Sequence, residues 1–517
     1  MDKKLIFLMV MSLGTFWLVN YFGKKPDVQD LQNIQQGQSY NVPSIKDLAK
    51  PINAEIDFVD KKIAAQEEEK NFETEKYSIS FSNYGGVISG LKFKNYLGKN
   101  NIPLNSISNK GFYKREESAF LLALEKETPY FYKFENSVTD NDKITVIYST
   151  QNAGWLIKKN YNIYKNLYKI DLDINFIKQD NNASSINPRL FIPAPVVSEL
   201  EDDSYTAITG SLDNKSIEKI SDSKLTQAWV APKLFGSYDK YFLNVLISDT
   251  NNFANRGFFK KIDNNLFAVL EGREITESSN INLSFYVGPK NIENIVAVDK
   301  RLEGALDFGW FSWLCKLLLK LLEYLYSIFN NFGVAIIVMA ILLKLPFTPF
   351  TITGRKKLEE YNKYTPTINR IRQKYKNDPV ALNTELAKFH KDHNISPMTN
   401  FSAGCLPMLI QMPIMFALYR VLVNHIDLYN APFMFWIKDL SAKDPYYILP
   451  ILMAVTMFIT QAMNKTDAGA AQNMMLLFMP LIMLAMFIRF PAGLVLYWFV
   501  NNLLTIGEDL LRKRYFN

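Results

Sequence analysis

The chain has 517 residues, with 58 Lys+Arg against 51 Asp+Glu for a formal net charge of +7, and 48% of its residues are hydrophobic. Its mean hydropathy of −0.06 is that of an ordinary soluble protein; the 14% aromatic content excludes wholesale disorder, and only two cysteines exclude a disulfide scaffold. The average conceals two unlike parts: Pro26 to Glu303 carries 33 bases against 37 acids, whereas the remainder carries 25 against 14.

Leu5 to Phe22 is 18 residues without a charge, preceded by Lys3 and Lys4. That length is the lower end of a membrane span. A cleaved signal peptide is the rival reading, but no small-x-small site follows in NYFGKKPD. No Cys precedes Cys315, which excludes a lipoprotein anchor. The expectation is an uncleaved signal anchor over residues 1–25. Residues 26–76 are polar, charge-rich and poor in large apolar side chains, which predicts a linker.

Residues 77–305 have the texture of strands. Tyr77-Ser78-Ile79-Ser80-Phe81 and Ile170-Asp171-Leu172-Asp173-Ile174-Asn175-Phe176 alternate with period two, and Asn83-Tyr84-Gly85-Gly86 and Asp213-Asn214 interrupt the pattern. A single large β-sandwich is expected. The block contains no His and no Cys, so the side chains that most often carry acid–base and thiol chemistry are missing from it. Glu201-Asp202-Asp203 reads as a solvated loop, and there is neither a phosphate loop nor a zinc spacing.

Beyond residue 305 the chain becomes basic, apolar and rich in Met. In Trp310 to Ser327 the polar residues Lys316, Lys320, Glu323 and Ser327 form one helical stripe, and Leu314, Leu317, Leu318, Leu321, Leu322 and Leu325 fill the other face. That pattern predicts an interfacial amphipathic helix over 306–328. Five apolar runs follow within 329–517: Gly333 to Ile352, Gly404 to Val423, Tyr446 to Met463, Met474 to Ile488 and Pro491 to Ile506. With the first anchor they make six expected spans. The segment from Thr351 to Ala403 holds ten bases and five acids and is expected in the cytoplasm. Both termini then lie inside, and the block 26–305 lies outside. Within the basic segment, Leu358, Tyr361, Ile368, Ile371 and Tyr375 follow helical spacing, and Asp378-Pro379 starts a second helix. A helical hairpin over 355–394 results, with Arg370, Arg372 and Lys374 on its surface.

Lys344 is the cation least explained by loops and span ends. It lies eleven residues before Arg355, about 16 Å along a helix. An intramembrane charge is costly and usually functional. Snorkelling is the competing account if Pro346 or Pro349 ends the helix early. Gln411, Asn501 and Asn502 are its candidate polar companions. No carboxylate lies within the other apolar runs, so Lys344 is expected to be a lone cation, which suits an acidic or polar segment passing through. A transporter would need coupling carboxylates or a repeated span pattern, and a carbohydrate-active enzyme would need acid–base residues in the outer block.

The stretch Ile395-Ser396-Pro397 through Gly404-Cys405-Leu406-Pro407-Met408-Leu409-Ile410-Gln411-Met412-Pro413-Ile414 closely resembles the YidC/Oxa family of membrane protein insertases. So do Trp436-Ile437-Lys438-Asp439-Leu440-Ser441, Asp444-Pro445-Tyr446-Tyr447 and Phe490-Pro491-Ala492-Gly493-Leu494. The resemblance implies an α-helical polytopic membrane protein of six spans, with a five-helix insertase core and a large periplasmic β-supersandwich domain. It implies a non-enzymatic insertase and chaperone without cofactor or metal in a Gram-negative type inner membrane. Its groove would open to cytoplasm and lipid. The family's groove cation, usually Arg, matches Lys344 here, which keeps the charge but loses the bidentate fork. Substrate-slide positions match Ala340, Tyr497 and Trp498. The implied partners are nascent membrane proteins, Sec translocon components and membrane lipid, with the ribosome and signal-recognition pathway as further candidates and no nucleic-acid specificity. The short tail ending at Asn517 is expected not to serve as a ribosome-binding extension.

Overall fold

In the computed structural model the described residues are 67–98, 102–107, 119–124, 130–195, 206–210, 217–221, 224–225, 227–262, 265–306, 308–393, 399–463 and 470–515. The expected anchor Leu5 to Phe22 and the acidic run at 201–203 lie outside them. The described N-terminal part is a β-rich domain of three antiparallel sheets. Its largest sheet has nine strands in the order Ile217–Ile220, Thr206–Gly210, Phe235–Tyr238, Phe242–Asp249, Ser279–Pro289, Lys169–Lys178, Trp155–Tyr164, Lys143–Asn152 and Lys133–Thr139. The alternation at Lys169–Lys178 does what its period dictates. Ile170, Leu172, Ile174 and Phe176 are buried, and Leu172 pairs with Tyr161 on one neighbour and Leu283 on the other.

A five-stranded and a four-stranded sheet cover this large sheet, and aromatic side chains join the layers. Phe235 stacks on Phe259 at 4.3 Å, and Phe93 stacks on Phe242 at 4.8 Å. The four-stranded sheet begins with Glu69–Glu73, inside the stretch expected to be linker. This strand pairs with Tyr77–Ser82 but keeps its alternate positions exposed, so its sequence is as polar as a linker's.

The Asn83–Gly86 turn has a specific task. Gly85 and Gly86 adopt φ of 85° and 53°, the left-handed region that glycine tolerates. A Cβ on Gly86 would also meet the Tyr132 ring. The turn aims both carbonyls at Lys159, a fully buried lysine whose Nζ donates to Gly85 O (2.8 Å), Gly86 O (3.2 Å) and Phe120 O (2.9 Å). Three carbonyls replace the hydration of the ammonium. Burial nevertheless pulls the Lys159 amine down to about 7.

Among the described residues nine α-helices follow in chain order. They are α1 (Ile292–Val298), α2 (Ser312–Phe329), α3 (Phe332–Lys344), α4 (Thr348–Lys374), α5 (Pro379–Asp392), α6 (Thr399–Asn424), α7 (Ile448–Met463), α8 (Ala470–Phe487) and α9 (Ala492–Tyr515). On α2 the buried face is Cys315, Leu318, Leu319, Leu322 and Leu325, whereas Leu317 is exposed, so the stripe is narrower than the sequence pattern implies. In the basic segment α4 runs from Thr348 to Lys374 and is followed by α5, which Asp378 caps by accepting from the Val380 and Ala381 backbone N–H groups, with Pro379 in the first turn.

Among the described residues no helix is long and apolar enough to cross a membrane. The six-span expectation is therefore not confirmed: the runs expected to span after residue 332 do not appear as single long apolar helices, and the expected first span lies outside the described residues. The run from Gly333 to Ile352 is divided: α3 ends at Lys344 after 13 residues, a short 3₁₀ turn spans Leu345–Phe347, and α4 begins at Thr348. Pro346 and Pro349 account for the break, since each removes a backbone donor. Thirteen residues reach only ~20 Å, and α7 has 16 residues. Helices α6 and α9 are longer but carry Arg420 and Glu508-Asp509, respectively.

Candidate functional site

The site is built where α3 meets α9. The first twelve residues of α3 are apolar, and Ala335, Ile336, Met339 and Ala340 are buried. Lys344 follows Ala340 by one turn and closes the helix. Pro491 ends the tight turn after α8 and allows α9 to start at Ala492. On α9, Asn501, Thr505 and Glu508 recur at intervals of four and three residues and share one face.

Lys344 Nζ lies against that face. It donates to Asn501 O (3.2 Å), to Asn501 Oδ1 (3.4 Å) and to Thr505 Oγ1. It pairs with Glu508 Oε2 at 3.6 Å, with the two side chains 15% and 14% exposed. Glu508 also accepts from Thr348 Oγ1 at 2.7 Å, so the 3₁₀ break delivers a second donor to the carboxylate. The expectation of a lone cation is thus corrected. The apolar run of α9 ends near Ile506, but the helix continues to Tyr515 and keeps Glu508 in register with Lys344. The spacing of Asn501, Thr505 and Glu508 was the available signal; it was hidden because Glu508 lies beyond the apolar boundary.

The other expected site residues separate into distinct places. Asn502 turns to α7, where Nδ2 donates to Met453 O (3.4 Å) and Thr456 Oγ1 (3.3 Å). Gln411 Nε2 donates to the Tyr497 hydroxyl at 2.6 Å, which ties α6 to a buried position on α9. Trp498 is half-buried with its ring 5.1 Å from that of Phe487. Ala340 is buried between helices and presents no surface. Arg370, Arg372 and Lys374 lie at the far end of α4; Arg370, Arg372 and Lys374 are exposed.

Two family models match the chain. One, described as the 60Kd inner membrane protein, covers residues 324–517, and the other, the YidC periplasmic domain, covers residues 70–321. The membrane protein insertase YidC of Geotalea daltonii is 31% identical over 541 aligned positions, spanning 98% of each chain. The chain belongs to the YidC family of membrane protein insertases. The YidC of Geotalea uraniireducens is 35% identical over 84% of this chain and 85% of its own. A solved structure described as active YidC insertase with its first transmembrane domain resolved aligns with 91% of this chain and 94% of its own, at 18% identity and a TM-score of 0.38. Membership in the YidC family places the protein at the inner membrane. The β-rich domain is the part matched as periplasmic.

Proposed function

We propose that this protein inserts and folds nascent membrane proteins through a hydrophilic groove lined by Lys344, Asn501, Thr505 and Glu508, acting alone or with the Sec translocon. The carrying observation is a four-membered polar cluster set into otherwise apolar helices. In this reading α3 with its extension, α6, α7, α8 and α9 make the five core spans. Both termini are cytoplasmic, and the β-domain is periplasmic. Ile451, Val455, Ile459, Phe478, Leu481 and Ile482 are exposed apolar side chains on α7 and α8, as lipid-facing positions would be. The short helices are accommodated by local thinning of the bilayer.

A nascent segment enters from the cytoplasm with its polar or acidic flank exchanging into the Lys344–Glu508 pair. Its apolar part moves along α3 and α9 near Tyr497 and Trp498 into lipid. Transfer of apolar surface out of water drives the step at ~25 cal/mol per Å². Membrane potential adds ~2.3 kcal/mol per charge per 100 mV.

The test is insertion of single-span proteins into vesicles carrying the purified protein, scored by protease protection. Lys344→Ala is expected to reduce insertion of acidic-flank substrates by ~tenfold, equivalent to about 1.4 kcal/mol. Insertion at the unaltered rate for every acidic-flank substrate removes Lys344 from the mechanism.

A further inference from the structure

A cavity of about 300 Å³ lies between the β-domain and the helices, away from the Lys344 site. It sits where α2 ends, α3 begins and α6 ends, so the whole length of α3 separates it from Lys344. The geometry points to this cavity as a binding site for an organic ammonium group.

Charge is the first reason. Glu293 from α1, Glu323 from α2 and Asp427 from the segment after α6 all line the cavity, and none of its described lining residues is Lys or Arg. Lys76 is not among the lining residues; its Nζ donates to Asn294 Oδ1 at 2.9 Å, and its charge interacts with Glu293. Lys320 lies one turn before Glu323 and is exposed. Burial, with Glu293 and Asp427 adding to it and Lys320 opposing it, lifts the Glu323 carboxyl to about 7. A confined excess of carboxylates is costly until a cation enters.

The second reason is His425, which is 5% exposed and lines the same cavity. Its Nε2 has no hydrogen-bond partner, and the nearest carboxylate oxygen, Asp427 Oδ2, stands off at 3.5 Å. Asp427 Oδ2 instead accepts from Asn291 Nδ2 at 3.0 Å. Burial holds the imidazole below its ordinary value, so His425 is neutral near pH 7 and supplies no counter-charge. A buried ring nitrogen left without a partner marks a position for a ligand atom.

The walls decide the class of cation. Tyr96, Tyr326, Phe332 and Tyr429 line the space, with Tyr326 and Phe332 stacked at 3.9 Å. Aromatic faces beside carboxylates suit an alkylammonium, which is drawn to both. A bare metal ion fits poorly: among the described residues no three His, Cys, Asp or Glu side chains converge closely enough to hold one. The volume is at the lower end of small-molecule sites. An ethanolamine phospholipid headgroup and a small free amine share the required chemistry.

The test uses the full chain purified in detergent. Native mass spectrometry compares retention of phosphatidylethanolamine with phosphatidylglycerol, and thermal unfolding is followed with and without millimolar free ethanolamine. Preferential retention of phosphatidylethanolamine by ~tenfold, lost in Glu323→Gln/Asp427→Asn, assigns the site to the lipid headgroup. A rise in Tm with free ethanolamine, also lost in that variant, assigns it to free amines. Equal retention of both lipids with no shift in Tm overturns the proposal, and so does ammonium binding that persists in the variant. If the double variant does not fold by circular dichroism, Tyr326→Leu removes an aromatic wall without changing charge and is expected to weaken the same binding. Unchanged binding in Tyr326→Leu then overturns it.

Discussion

Replacing Glu508 by Gln is the most informative perturbation of the polar cluster. The carboxylate lies 3.6 Å from Lys344 Nζ, and both side chains are about 15% exposed. With an effective dielectric constant of ~20, two unit charges at that distance attract by ~4 to 5 kcal/mol. The desolvation of both groups offsets part of this attraction. An incoming acidic flank must compete with that remainder. Glu508→Gln keeps the shape and an acceptor for Thr348 but removes the competing charge. Lys344 stays held by Asn501 and Thr505, so the fold should survive. Acidic-flank substrates should therefore cross-link to the groove several-fold longer in Glu508→Gln, while neutral-flank substrates behave as in the unaltered protein. The assay is time-resolved photo-cross-linking from the flank in proteoliposomes, run as a cycle with Lys344→Ala. A coupling of ~1 to 3 kcal/mol between the two positions is expected. Additive effects, or equal dwell times for acidic and neutral flanks in Glu508→Gln, would refute the competition.

The buried Lys159 makes β-domain stability depend on pH. Its folded value of about 7 lies below the ordinary 10.5, so between these values the unfolded state binds more protons. Stability should be lowest below about pH 7 and rise toward pH 10.5. Lys159→Met should flatten that rise, read by hydrogen exchange in Trp155–Tyr164 of the full chain; an unchanged pH slope would reject the assignment. In the segment between α6 and α7, Asp444 is 1% exposed and accepts from Trp436 Nε1 (3.0 Å), Tyr446 N (3.0 Å) and Leu449 N (2.7 Å). Asp444→Ala strands three donors, two of them at the start of α7, and should cost ~2 to 4 kcal/mol, a loss that denaturant unfolding of the full chain would register.

Much of this molecule was legible from local pattern. The period-two runs at Tyr77–Ser82 and Lys169–Lys178 form strands, and the Asp378-Pro379 pair starts a helix. These readings succeed because strand alternation and capping are properties of a few neighbouring residues. The strand Glu69–Glu73 escaped because an exposed edge needs no apolar alternation; only its pairing with Tyr77–Ser82 identifies it.

What tertiary structure alone decided is the company each group keeps. Glu508 is separated from Lys344 by more than 160 positions in sequence, and nothing in either local segment requires their pairing. The break after Lys344 places Thr348 on the same carboxylate. The acidic cavity likewise gathers Tyr96, Glu293, Glu323 and Asp427 from four segments that look like ordinary solvated positions one by one. Sequence determined the elements and their apolar faces because those depend on neighbours. The partners of the buried charges depend on which helix faces cross, and only the assembled fold specifies that.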